Sequence, residues 1–291
     1  MVALACEVPA QRAAPLSRYS TAALARLVSA HPDAPPISQS SIWRILDQHA
    51  LKPWRQHGWL YPRDPQFLVK AGRVLDLYAG RWEGVPVQPD DAIISADEKT
   101  GIQARIRCHP TTPPRPGQPM RVEHEYDRGG ALAYLAAWDV RRGGVIGRCE
   151  ARTGRAPFGR SVDRVMQQEP YRSARRAFWV VDNGSSHRGE KAARELMARY
   201  PNLVAVHLPT PASWLNQVGL YFSIVQRKVL TPNDFPDLAA VERRLLAFEA
   251  LYNDTARPFG WRFTRAMLEE RLAPLAPVPA TLTPAALPEA A

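Results

Sequence analysis

Two periodicities of apolar and polar positions divide the chain. After Ser20, the residues Leu24, Leu27 and Val28 recur on one helical face, and His31-Pro32-Asp33-Ala34-Pro35-Pro36 ends that run. Ser38-Gln39-Ser40 offers N-caps for a second helix, in which Ile42, Ile45, Leu46 and His49 fall at helical spacing. Gln39, Ser41 and Arg44 are left facing outward. Helix, break and capped helix predict a helix-turn-helix whose second helix enters the DNA major groove through those three residues. Any two-helix packing unit gives the same pattern, and the first 19 residues supply hardly any further helix.

A connector rich in Pro, Trp, Tyr and Arg follows, suited either to stacking on bases or to packing on the next domain. A helix is predicted over 65–78, with Phe67, Val74, Leu75 and Leu77 as core. The pattern then shortens to that of strands. Residues 92–98 form an apolar strand ending in Asp97-Glu98. Residues 131–140 and 144–150 form two more, joined by Arg141-Arg142-Gly143 as a hairpin. A helix over 161–168, a strand over 178–181, a helix over 189–200 and a strand over 203–207 come next. Leu215, Val218, Phe222, Val225 and Val229 then predict a helix over 215–230, and Leu238, Val241, Leu245, Phe248 and Leu251 predict another.

Three hairpin-linked strands, then helix, strand, helix, strand, helix, describe an α/β fold. It is a ribonuclease H-like mixed sheet flanked by helices, preceded by a small all-α helix-turn-helix segment. The expected division is 1–64 for the helix-turn-helix segment and linker, 65–272 for the ribonuclease H-like domain, and 273–291 for a loose Pro- and Ala-rich tail.

This order lays the first strand beside the fourth, so Asp97 and Asp182 converge from distant parts of the sequence. Two carboxylates so close repel, and either share a proton or hold a divalent cation. Hard oxygen ligands favour Mg²⁺ or Mn²⁺. A pair of such ions clamps the attacking and leaving oxygens of a phosphodiester. The bland reading of Asp182 alone is an acid capping the Asn183-Gly184 turn.

Composition narrows the class. Lys+Arg number 38 against 28 Asp+Glu, a net charge of +10 over 291 residues, which suits a polyanionic partner. The 3 cysteines, Cys6, Cys108 and Cys149, are widely spaced and predict neither a disulfide framework nor a zinc site. No apolar run reaches bilayer length, and no secretory pattern opens the chain. A cytoplasmic, nucleoid-associated protein is expected.

Four segments together resemble the insertion-sequence 630 family of transposases, in the mariner superfamily. They are Ala96-Asp97-Glu98-Lys99-Thr100, Arg121-Val122-Glu123-His124-Glu125-Tyr126, Val181-Asp182-Asn183-Gly184-Ser185-Ser186-His187 and Ser213-Trp214-Leu215-Asn216-Gln217-Val218. The resemblance runs from about residue 16 to 271. It implies a DDE catalytic domain that cuts and joins DNA at transposon ends with Mg²⁺ (or Mn²⁺), with Asp97 and Asp182 as metal ligands and the first two catalytic acids. It also implies double-stranded DNA, both transposon ends and target, as partner, and is compatible with a homodimer.

The chain departs from the family at the third acid. Where the family reads Asn-Gln-Val-Glu, this sequence reads Asn216-Gln217-Val218-Gly219. Asn216 is neutral, and Asp234 and Asp237 lie beyond the predicted helix. An impaired, degenerate enzyme is expected; a non-catalytic DNA-binding remnant and another ribonuclease H-like nuclease are the alternatives. An additional helix-turn-helix usual in the family is not seen, and Pro211 stands where the family commonly has His. Glu98 falls on the opposite strand face from Asp97. Glu123 and Glu125 should share one strand face, with His124 on the other in a packing role. Asn183 and His187 suit either turn formation or the orientation of water or phosphate. Arg141, Arg142, Arg148, Arg152, Arg155 and Arg160 could track a DNA backbone or be scattered solvated charge.

Overall fold

The computed structural model describes residues 1–32, 34–56, 62, 64–182 and 190–273, with no side chains for 190–194. It divides into two units, Met1–Leu60 and Tyr61–Ala291.

In the first unit, α1 (Val2–Ala5) and a 3-10 turn (Pro9–Arg12) precede α2 (Thr21–Ser29) and α3 (Gln39–Gln48). Ser20 and Ser38 cap these last two, their hydroxyls accepting from Ala23 N and Ser41 N at 3.1 Å each. Leu24, Ile42 and Leu46 meet in a small core with Ala5 and Tyr19. Two expectations change here. The N-terminal residues do form helix, because Ala5 contributes to that core. Leu27 is exposed rather than buried, since the stripe of a short helix is narrow.

The second unit begins with α4 (Phe67–Tyr78), followed by a small hairpin of β1 (Arg81–Trp82) and β2 (Val85–Pro86). Then come β3 (Ala92–Ile106), β4 (Asp127–Asp139), β5 (Val145–Glu150), α5 (Arg155–Met166), β6 (Ala177–Val181), α6 (Glu190–Arg199) and β7 (Leu203–His207). A 3-10 turn (Ser213–Leu215) leads to α7 (Val218–Lys228), α8 (Leu238–Asn253) and α9 (Arg265–Leu272). The sheet order is β5-β4-β3-β6-β7, with β3–β4 and β4–β5 antiparallel and β3–β6 and β6–β7 parallel. This is the mixed α/β sheet that the sequence implied.

Alternation assigns the two faces. Ala92, Ile94, Ala96, Trp179 and Val181 pack with Phe158, Val162 and Val165 of α5. Ile93, Phe178 and Val180 pack on the other face with Phe67, Ala71, Val74 and Leu75 of α4 and with Leu268 of α9. On that second face, Ile102, Tyr134, Ala136 and Trp138 meet Val218, Tyr221 and Val225 of α7 and Val241 and Leu245 of α8.

β3 is longer than the seven-residue run read from sequence. It continues past Gly101, whose φ of +66° accompanies a register shift between Lys99 and Ile102. α5 begins six residues early, because Pro157 lies in the first turn, where no backbone N–H is needed. The helix expected over 215–230 is interrupted. Asn216 is extended (φ −80°, ψ 104°), and α7 starts only at Val218. The expected tail, 274–291, lies outside the described residues.

Candidate active site

β3 and β6 run parallel, with Ala92 opposite Ala177 and Ser95 opposite Val180. The same register carried two residues further sets Asp97 opposite Asp182. Neighbouring strands lie about 4.8 Å apart, and opposed residues of a parallel pair share a face. Both acids therefore continue the face of Ile93, Phe178 and Val180, the face covered by α4, α7 and α9. Asp182 directly follows the carboxyl end of β6, whereas Asp97, expected at a strand end, lies inside the longer β3 just past its pairing with β6. Each is half-buried.

The α7 corner is docked to β3 by polar contacts one strand-step from Asp97. Buried Ser95 donates its hydroxyl to Asn216 Oδ1 and accepts from Val218 N at 2.9 Å. Asn216 Nδ2 donates to Ala96 O at 3.0 Å and stands 3.5 Å from Asp97 Oδ2. Asp97 Oδ1 accepts from Glu98 N at 2.7 Å. Tyr78 of α4 donates to Leu215 O at 3.0 Å, and its burial drives the phenol well above its ordinary range. Ser95 and Tyr78 were not singled out in the sequence; a lone serine inside the apolar run Ala92–Ala96 was the available signal. Asn216 was placed a turn back in a helix, whereas it occupies the break and bonds β3 directly.

Gly219 lies in the first turn of α7. A Cβ built there meets nothing within 4 Å. The corner is open, so absence of a side chain is not imposed by packing. Among the described residues, no group of three or more His, Cys, Asp or Glu is arranged to hold a metal ion. What the register gives is a pair of hard oxygen donors. A pair fits Mg²⁺, which keeps several waters and is commonly held by one or two carboxylates plus substrate phosphates. Asp234 accepts from Thr111, and Asp237 caps α8 by accepting from Ala240 N; neither is arranged as a third ligand.

The remaining candidates separate. Asn183, Ser185, Ser186 and His187 lie outside the described residues. The segment around His124 is a loop rather than a strand, and Glu123 accepts from His109 N at 2.9 Å and pairs with His109 Nδ1 at 2.7 Å. The arginines proposed to track DNA are mostly committed elsewhere. Arg141 donates to Gln88 O and Asp91 O, Arg142 pairs with Asp139, Arg148 and Arg160 with Glu150, and Arg155 with Glu195. In the first unit, Gln39 is exposed but its amide donates to Thr21 Oγ1 at 2.8 Å, and Arg44 donates to Ser41 at 3.3 Å. Trp43, 50% exposed on the same helix, was not singled out.

Similar solved structures include the Mos1 mariner paired-end complex with Mn (17% identity, 81% of this chain, 73% of that chain, TM-score 0.51). A pre-cleavage Mos1 transpososome (18%, 81%, 72%, 0.50) and the Mos1 paired-end complex with Mg (14%, 90%, 80%, 0.50) also align. At these identities the likeness is one of fold. No curated protein matches the sequence. The family described as DDE superfamily endonuclease matches residues 92–242, a span that opens on β3 with Asp97, contains Asp182 and the α7 corner, and ends in α8. The chain belongs to the DDE superfamily endonucleases.

Proposed function

We propose that the protein is a DNA transposase of the DDE type, acting on double-stranded insertion-sequence ends and target DNA, whose cleavage is impaired because Gly219 stands at the third acid position. The observation that carries this reading is the parallel pairing of β3 with β6, whose register extended by two residues brings Asp97 and Asp182 opposite each other, beneath an α7 corner with open space at Gly219. Asp97 and Asp182 would hold Mg²⁺ or Mn²⁺, and a bound ion supplies charge neutralisation at the phosphodiester and a more acidic water. Asn216 holds the Asp97 carboxylate toward the corner, and Ser95 fixes the helix start. The Mos1 structures are paired-end complexes with Mn or Mg, which supports the same metals and transposon-end DNA here, with a homodimer as the proposed assembly. The basic net charge supports a DNA partner, and no described helix is long and apolar enough to cross a membrane. The nucleoid is the corresponding site of action. Gln39, Ser41 and Arg44 on α3 are the proposed base-reading residues.

The test is Mg²⁺- or Mn²⁺-dependent strand cleavage on DNA carrying the inverted repeats that flank the gene. The unaltered chain should cleave weakly or not at all, and Gly219→Glu should cleave. Efficient cleavage by the unaltered chain would contradict the proposed impairment. No cleavage by Gly219→Glu, with the ends still bound, would favour a DNA-binding remnant.

A further inference from the structure

A groove of about 780 Å³ lies along the far half of β3, walled by the 122–126 loop and by the end of α7 with the turn after it. Lys99, Arg105 and Arg107 bring cations to its lining. Its carboxylate among the described lining residues, Glu123, is engaged by His109.

The two arginines differ in what they do. Arg107 is a structural pin: Nε and Nη2 donate to Asn233 O at 3.3 and 3.1 Å, and Nη1 donates to the carbonyls of Glu123, His124 and Glu125. Asn233 in turn holds β3, accepting from Arg105 N at 3.1 Å and donating to Gln103 O at 2.7 Å. The Arg105 guanidinium, by contrast, lies 4.6 Å from the centre of the Tyr126 ring. Its Nε is buried with no hydrogen-bond acceptor. A buried guanidinium N–H left unmatched is costly, so the Arg105 side chain gains by turning toward an acceptor that enters the groove. Lys99 is half-buried, and its ammonium makes no hydrogen bond or ion pair among the described residues. It follows Asp97 by two residues on the same strand face, a rise of about 6–7 Å. The groove that starts beside the acid pair thus carries positive charge that no described carboxylate of its lining neutralises.

We propose that this groove holds the phosphodiester backbone of a single DNA strand beside the acid pair, with Arg105 and Lys99 as its phosphate contacts. Tyr126 and the Arg107 pin pre-orient Arg105, so little side-chain freedom is lost on binding. The proposal rests on the DNA-processing function above and adds the path of the strand and its ligands.

The experiment measures binding of a labelled oligodeoxythymidine to the full-length chain by fluorescence anisotropy across a salt series. Each lost phosphate contact on a single strand should make the slope of log affinity against log salt shallower by about 0.7. Lys99→Gln should therefore lose about 0.7, and Lys99→Gln with Arg105→Gln about 1.4. Arg105→Lys should keep the slope, and Arg172→Gln, a change at an exposed arginine outside the groove, should leave it unchanged. Thermal melts confirm that each variant is folded; should the double variant not fold, Lys99→Gln alone decides. An unchanged slope in the Lys99 and double variants, with the unaltered chain binding well, overturns the groove and leaves the transposase reading standing. An equal loss at Arg172→Gln overturns it as diffuse surface charge. Failure of every form to bind the oligodeoxythymidine overturns the groove, and the transposase reading is then decided separately by the cleavage test on end-bearing duplex DNA.

Discussion

In the proposed function, the question of catalysis turns on the single position Gly219. The space around a Cβ there is empty, so a glutamate can be introduced without displacing a neighbour. It would also suit the first turn of α7, by about 1 kcal/mol of helix propensity over glycine and through its negative charge near a helix N-terminus. Gly219→Glu should leave the melting temperature equal or higher. It should raise metal-dependent cleavage by roughly 100-fold or more, since each role of a catalytic ion is worth several kcal/mol. A variant that melts lower would show that the corner is not open. A second titratable residue bears on stability alone. Glu249 is buried in α8 and accepts from Tyr134 Oη at 2.7 Å, and burial raises its carboxyl above the usual range. A carboxyl with a raised folded value contributes stability fully below its unfolded value, and loses it as pH rises through the folded one. The melting temperature should therefore gain a downward component with pH above the ordinary glutamate range, and Glu249→Gln should flatten it. A pH-independent difference between the two would contradict the assignment.

At the scale of elements, the α7 start depends on Ser95. Replacing it with alanine leaves Val218 N and Asn216 Oδ1 without their buried partner, at a cost of about 1–3 kcal/mol read from denaturant unfolding. The β4–β5 hairpin depends in the same way on Gly143, where φ is +78° and an added Cβ would lie 2.1 Å from Arg257 C. Gly143→Ala should destabilise by more than about 2 kcal/mol, and a neutral outcome would mean that the chain near Arg257 yields easily. These elements also show what the sequence could and could not disclose. β7 is legible to the residue because Leu203–His207 is a short apolar run between a helix end and a Pro-containing loop. The pairing of β3 with β6 follows from the order of elements. The extension of β3 is hard to read although Ile102, Ala104 and Ile106 alternate with Gln103, Arg105 and Arg107, because Gly101 interrupts the strand pattern and the arginines break its apolar run. The break at Asn216 was hidden for a different reason. Leu215 and Val218 keep helical spacing across it, and what ends the periodicity is a bond to Ser95, far away in sequence. The acid pair is legible as two aspartates that close apolar runs, although Asp97 lies inside β3 and only Asp182 follows a strand end, whereas Arg105 shows itself only through an unmatched Nε in three dimensions.

For the whole molecule, charge and topology point the same way. Much of the arginine excess is internally paired: buried Asp91 takes both Arg175 and Arg176, with Nη2 contacts of 2.8 and 2.9 Å, and they hold its carboxyl far below the usual range. A depressed carboxyl contributes stability above its unfolded value and loses it as pH falls through the folded one. Acid should therefore weaken the fold, and Asp91→Asn should remove part of that sensitivity and cost about 2 kcal/mol at neutral pH. The charge left over is what DNA can use, so affinity for duplex DNA should fall steeply with salt. All of this serves the proposed site, in which Asp97 and Asp182 are brought together by the pairing of β3 with β6. Their convergence is tested most directly by titrating Mn²⁺ into the full-length chain by calorimetry, alongside Asp97→Asn and Asp182→Asn. The account predicts that the unaltered chain binds Mn²⁺ and that either substitution alone abolishes binding. Mn²⁺ binding that survives both substitutions would contradict it.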